Sequence, residues 1–210
     1  MGELQKSLRE VAYVRWGVLL IVSLIMAANY YFYDALSPLK DQMQSRLGFS
    51  NQQYGFLQST YSISNVFLFM AVIGGILLDK WGIRFTGIGF TLFMAIGSIL
   101  TFYGSSETFR NGGPGYAFFN SFLTRFSPEF KMMTFGYFLF GLGAETSIVV
   151  ITTIVVKWFK GKELALALGL NLAMARLGQA MSFFLSANLS TPDFWNRPIF
   201  LSACLLSTAF

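Results

Sequence analysis

Five stretches of roughly 20 predominantly apolar residues, separated by charged connections, constrain this chain more than any other feature, because a helix of that length matches the hydrocarbon core of a bilayer. They lie at about residues 16–36, 55–78, 85–103, 133–156 and 164–185. A sixth begins near Pro198 and has run for only 13 residues at Phe210, too short to cross. The expected fold class is an all-α membrane protein. Composition agrees, since 12% charged residues is far below the roughly 25% of a soluble globular domain.

The net charge of +5 comes from basic residues dispersed among the connections, not gathered in one stripe, so the bilayer is the expected partner and nucleic acid is not. Cys204 is the only cysteine and there is no histidine. That excludes an intramolecular disulfide and a cysteine metal cluster, and it removes the commonest metal ligand and proton shuttle. No cofactor is implied. An intramembrane enzyme would need a catalytic constellation, and the spans hold no carboxylate pair, which leaves a carrier or a non-transporting membrane scaffold. Glu3, Lys6, Arg9, Glu10 and Arg15 precede the first span without a small-residue cleavage site, so that span is expected to stay in the protein.

Orientation follows from lysine and arginine in the connections. With the N-terminus inside, the inner segments hold Lys6, Arg9, Arg15, Lys80, Arg84, Lys157, Lys160 and Lys162, and the outer ones Lys40, Arg46, Arg110, Arg125, Lys131 and Arg197. The two short inner connections carry five of these, which favours a cytoplasmic N-terminus. The long outer segment 104–132 turns at Gly112, Gly113, Pro114 and Gly115 and then becomes aromatic, as expected of an interfacial stretch.

Two charges interrupt otherwise uncharged spans: Glu145 in the fourth and Arg176 in the fifth. A charge at the bilayer centre costs roughly 3 kcal/mol on insertion scales, so such residues usually face a cavity or a partner. Counted from the inner ends at Val156 and Leu164, both lie about 17 to 18 Å deep. Being opposite in sign, they can pair with each other or grip opposite ends of one polar solute. A buried pair is often no more stabilising than apolar residues of the same volume, so stability alone explains it poorly. Asp34, behind Tyr30, Tyr31 and Tyr33, lies toward the outer end of the first span, where it lines a vestibule or is a solvated helix end.

Between the second and third spans the chain reads GGILLDKWGIRF. Gly75 allows another helix to approach, Gly82 permits a left-handed turn, and Asp79 can cap a helix start or pair with Arg84, with Lys80 beside it. These five residues form either a gating latch or an ordinary charged hairpin. The pattern Gly75-x-x-x-Asp79-Lys80-x-Gly82-x-Arg84 resembles the signature of the major facilitator superfamily, with Phe85 where a second basic residue is common. GYFLFGLGAET at 136–146, KWFKGKELALALGLNLAMARLG at 157–178, YYFYDAL around Asp34 and YSISNVFL around Asn65 are similar to its lysosomal dipeptide transporter branch.

The resemblance implies an N-terminal six-helix half of a transporter, ending within its sixth helix, with a C-terminal six-helix half still to be supplied. It implies alternating access and a dipeptide or similar small solute held by Glu145 and Arg176, the glutamate taking the amine and the arginine the carboxylate. It also implies that Asp79 helps hold the two halves together on the inner side. Tyr137 stands where superfamily members often carry an arginine, which argues against proton coupling through that position. The N-terminal tail has no acidic dileucine-type signal, which favours a bacterial inner membrane, or the lysosomal membrane in a eukaryotic cell.

Three further readings come from the residues themselves. In WFKGKEL, Trp158 and Phe159 suit the headgroup belt and Glu163 suits the positive start of the fifth span. Ala165, Gly169 and Ala173 form a small-residue seam for helix packing. Ser59, Ser62, Ser64 and Asn65 are expected to hydrogen-bond across helices or face the cavity.

Overall fold

A computed structural model describes Leu8 and residues 10–208; Glu3, Lys6, Arg9 and Phe210 lie outside the described residues. From Ala12 onward the described residues form helices α1 (Ala12–Ala35), α2 (Lys40–Leu47), α3 (Asn51–Val66), α4 (Met70–Gly104) and α5 (Glu107–Arg110). The remainder are α6 (Tyr116–Ser121), α7 (Pro128–Phe159), α8 (Leu164–Leu189) and α9 (Arg197–Ser207). Four of them, α1, α4, α7 and α8, are long and apolar enough to cross a membrane.

Local chemistry sets several boundaries. Ser50 and Gln53 form a reciprocal capping box that starts α3, satisfying two backbone donors that the helix itself cannot. Ser127 caps α7 by accepting from the Phe130 amide at 3.2 Å, and Pro128 occupies the first turn, where its missing N–H costs nothing.

Helix α4 has 35 residues, about 52 Å at 1.5 Å rise, far more than one crossing needs. Gly82 divides it, with φ 79° and ψ 168° that a side chain would strain. The contacts of the two arms show a reversal. Phe56 of α3 stacks near Phe130, Ser64 donates to the Phe138 carbonyl at 3.4 Å and Gly74 meets Thr146, so this stretch runs parallel to α7. Beyond Gly82 the order inverts: Gly87 lies against Val150, Gly97 against Phe140 and Gly136, Gly104 against Met132 and Met133. The left-handed glycine is therefore the turn of a hairpin, as the sequence suggests.

Helix α1 runs antiparallel to α7, with Trp16 packed on Phe159 and Phe32 on Tyr137 and Phe140. Helix α8 runs parallel to α1, since Arg15 meets Glu163, Ser23 meets Asn171 and Ala27 meets Gly178. Short α9 returns beside the second arm of α4 through Phe102 and Phe200. The connections between the long helices thus sort onto two faces. One carries Arg15, the Gly82 hairpin and Lys160–Glu163; the other, richer in loops, carries α2, α5, α6 and residues 190–196.

Aromatic and sulfur side chains fill the centre, with Phe32, Met94, Met133, Tyr137 and Phe140 wholly enclosed. Outward-facing Leu20, Ile21, Leu24, Ile88, Ile96, Ile99, Phe183 and Phe184 leave a broad apolar perimeter. Such a surface suits acyl chains and would be a liability in water.

Several details depart from expectation. The second span is two helices, because residues 67–69 interrupt it and Phe69 adopts φ 50°. Its α3 half is rich in Gln, Ser and Tyr and does not meet the criterion for crossing by itself. Gly75 has no neighbour within 4 Å where a Cβ would stand; the close approach occurs at Gly74, whose Cβ would lie 2.7 Å from Thr146 Cγ2. Ala165, Gly169 and Ala173 are exposed. The face of α8 packed on α1 is instead Ala167, Asn171, Ala175, Gly178, Ser182 and Ser186, also small but offset by two residues. Phe159 is wholly buried inside the bundle, and the Arg15 guanidinium lies 5.5 Å from its ring centroid.

Candidate functional site

Residues spaced three or four apart share a helix face, and that rule assembles the polar groups between α1 and α8. Tyr30 and Asp34 face α8, where Arg176 and Gln179 face back. Gln179 Nε2 donates to Asp34 Oδ2 at 2.8 Å, and Arg176 Nη1 donates to Gln179 Oε1 at 2.5 Å. The Arg176 guanidinium carbon lies 6.0 Å from the Tyr30 ring centroid, at the edge of cation–π range. Gln179 is therefore a neutral bridge between a cation and a carboxylate. Because one amide uses its oxygen for the arginine and its nitrogen for the aspartate, both charges are oriented while neither is neutralised by direct contact.

Glu145 is set apart from this chain of contacts. It projects from α7, partly buried, within electrostatic reach of Tyr33 and Tyr61, whose rings pack edge to face with centroids 4.6 Å apart. Deeper in the same wall, Tyr137 Oη lies 2.8 Å from the Tyr33 carbonyl and 3.1 Å from Gln58 Oε1. Gln58 Nε2 in turn donates to Ser37 Oγ and Tyr54 Oη. Tyr137, at the position where an arginine is common, thus ties α7 to α1 and α3 through neutral groups.

The structure does not join Glu145 to Arg176: no ion pair within 4.0 Å forms between them, and Arg176 is exposed on α8. The direct pairing that equal depth allows is absent. Asp34 is instead drawn to Arg176 through Gln179. Sequence reasoning missed Gln179, Gln58 and Tyr61; a signal for Gln179 was present, since it follows Arg176 by three residues on a helix.

At the opposite end of the bundle, Asp79, Lys80, Gly82 and Arg84 are exposed on the hairpin, and Asp79 and Arg84 form no ion pair within 4.0 Å. On that face Arg15 pairs with Glu163 at 3.1 Å, with the Arg15 side chain 6% and that of Glu163 50% exposed. Glu163 occupies the N-cap position of α8, so its charge also faces the positive helix start, as expected. Ser64 is buried on α7, whereas Ser59, Ser62 and Asn65 are exposed.

A family model described as Major Facilitator Superfamily matches residues 19–210. The chain belongs to the Major Facilitator Superfamily. Among curated superfamily relatives, the lysosomal dipeptide transporter MFSD1 of Pongo abelii is 36% identical over 166 residues, covering 79% of this chain and 31% of the relative. The human protein of the same name is 35% identical over the same extent. The chain therefore spans about a third of the length of the curated relatives it matches. Among solved superfamily structures, the inward-open xylose transporter XylE from E. coli superposes with a TM-score of 0.57 at 14% identity, over 92% of this chain and 48% of that one. That likeness concerns the fold alone. An all-helical multi-pass membrane protein of a transporter family is what the bundle and these matches establish together.

Proposed function

We propose that the chain forms the N-terminal half of a secondary transporter that moves dipeptides, or similar small zwitterionic solutes, by alternating access. The observation that carries this reading is the separation of Glu145 from Arg176. Two opposite charges in the spans, not closed on each other, present complementary ends to a solute bearing a free amine and a free carboxylate. The carboxylate would take the exposed planar guanidinium in a bidentate contact, and the amine would take Glu145 beside Tyr33 and Tyr61. Asp34, through Gln179, would hold Arg176 in position. The dipeptide transporter names of the relatives support the substrate class.

A second six-helix half would complete the cavity, since superfamily halves rock about a site at their interface. The bias of lysine and arginine supports a cytoplasmic N-terminus, which places the Gly82 hairpin on the cytoplasmic side. The names of the relatives favour a lysosomal membrane in a eukaryotic cell, with the inner membrane as the bacterial counterpart. Binding tests the proposal. Purified full-length carrier is expected to gain thermal stability with dipeptide but not with an N-acetylated dipeptide amide, which lacks both charges; equal shifts for the two would remove the termini from recognition.

The hairpin residues Gly75, Asp79, Lys80, Gly82 and Arg84 are proposed to act as the gate. With Asp79 exposed and not engaged by Arg84, its charge is available for contact across the inner face. Asp79→Asn keeps the volume and removes the charge, and is expected to shift the inward and outward populations by about 1 to 3 kcal/mol. Distances between spin labels on the inner face measure this directly. An unchanged distribution would make Asp79 an ordinary loop charge.

A further inference from the structure

A cavity of about 900 Å³ lies outside the Glu145 and Arg176 site, at the loop-rich end of the bundle, between α3, α6 and α7. Its volume is at the upper end of the usual ligand-pocket range of roughly 300–1,000 Å³. Its lining combines seven phenylalanines and Leu123 with Arg125, Lys131 and five uncharged polar residues, and among the described residues it contains no carboxylate. The crossing of α3 over α7 near Ser64 and Gly141 separates it from Glu145. The cavity is thus apolar in its body and cationic in its charge.

The chemistry is arranged by depth. Lys131 sits in the first turn of α7, Nζ donating to the Phe122 carbonyl at 2.6 Å and lying 4.9 Å from the Phe122 ring centroid. Its ammonium has three donors and no acceptor, so that contact leaves capacity for an anion. Arg125 is exposed nearby, in the segment that links α6 to α7. From Lys131 the lining descends α7 through Thr134 and Phe135 to Phe138, seven residues or about 10 Å toward the bilayer centre. Thr134 Oγ1 is buried there without a hydrogen-bond partner. Phe56 and Phe135, at 52% and 50% exposure, flank the opening.

We infer that this cavity binds one anionic phospholipid, with its phosphate on Arg125 and Lys131 and an acyl chain along the Phe56, Phe135 and Phe138 slot. A lipid fits better than a water-soluble anion, because seven phenylalanines and Leu123 line the cavity beside the two cations and offer an acyl chain an apolar wall. It fits better than a zwitterionic lipid, because two cations without a carboxylate leave net positive charge to be matched. The site is separate from solute recognition, and occupancy would pin the α6 segment against α3 and α7.

Native mass spectrometry of the full-length protein extracted from vesicles of equal phosphatidylglycerol and phosphatidylcholine tests this. One retained phosphatidylglycerol is expected, favoured over phosphatidylcholine by about fivefold for each cation near the headgroup. Arg125→Gln, at an exposed position, should lower that preference about fivefold without changing the fold. Thr134→Phe fills the slot and should abolish retention of either lipid. Equal retention of the two lipids by the parent, retention undiminished by Thr134→Phe in a folded protein, or displacement of the lipid by excess inorganic phosphate would each overturn the assignment. So would occupation of the cavity by a second copy of the chain, read as a dimer that Thr134→Phe dissolves.

Discussion

Arg176→Lys in the full-length carrier is expected to lower dipeptide uptake by at least about 30-fold, although it keeps the positive charge. Removing one partner of a charge-assisted contact costs about 2 to 5 kcal/mol of binding, and the exposure of Arg176 points to the lower end of that range. Lysine cannot reproduce the planar fork that grips a carboxylate with two parallel bonds, nor can its point charge keep the same geometry toward Gln179. Glu145→Gln should weaken binding to a similar degree by losing attraction for the amine. Uptake into reconstituted vesicles measures both, with thermal stability recorded alongside. A purely structural role would behave otherwise: the single changes would lower thermal stability while leaving uptake per folded protein unchanged, and two apolar replacements would restore a working protein. Normal uptake by the single variants, or rescue by the double apolar variant, would sink the substrate-site proposal.

Gly136→Val should prevent the bundle from assembling. A Cβ at this position of α7 would stand 2.6 Å from the Thr101 amide nitrogen and 2.8 Å from the Gly97 carbonyl oxygen, both backbone atoms of α4. Flexible side chains can swing aside, but a helix backbone moves only if the whole helix moves. The overpacking cost should therefore reach or exceed about 3 kcal/mol, the upper end of the usual range. The expected readout is loss of the monodisperse peak in size-exclusion chromatography. Gly55→Ala is the control, because nothing lies within 4 Å of a Cβ there. An undiminished peak for Gly136→Val would mean that α4 and α7 are not in close contact.

These two predictions draw on different kinds of legibility. Glu145 and Arg176 stand out in the sequence because a charge in an apolar span is costly, and Gly82 because a six-residue reversal between spans needs a left-handed residue. Their separation was not legible. Equal depth fixes height along the bundle normal but not the azimuth of each helix, and azimuth follows from packing. The same limit explains the seam on α8, where two small-residue stripes offset by two positions fit the same rule and only contact with α1 through Asn171 and Gly178 selects one. Gly74 rather than Gly75 meets Thr146 for this reason too. The interruption at residues 67–69 had no Pro or Gly to announce it, since a phenylalanine adopts the left-handed conformation.

The parallel pair α1 and α8 is fastened at three heights. Arg15 reaches Glu163 near one face, Asn171 Nδ2 donates to Ser23 Oγ within the buried middle, and Gln179 donates to Asp34 toward the other face. The first two contacts share a separation of 148 residues, so they enforce one register. A slide of one helical turn, 5.4 Å, would break all three at once, and the middle one would leave an amide unsatisfied in a setting without water. The two helices are consequently a single rigid beam with Arg176 mounted on it. A solute that displaces Arg176 transmits its pull to α1 as well as α8, so the mechanical unit of any rocking motion is the helix pair rather than the helix that bears the charge.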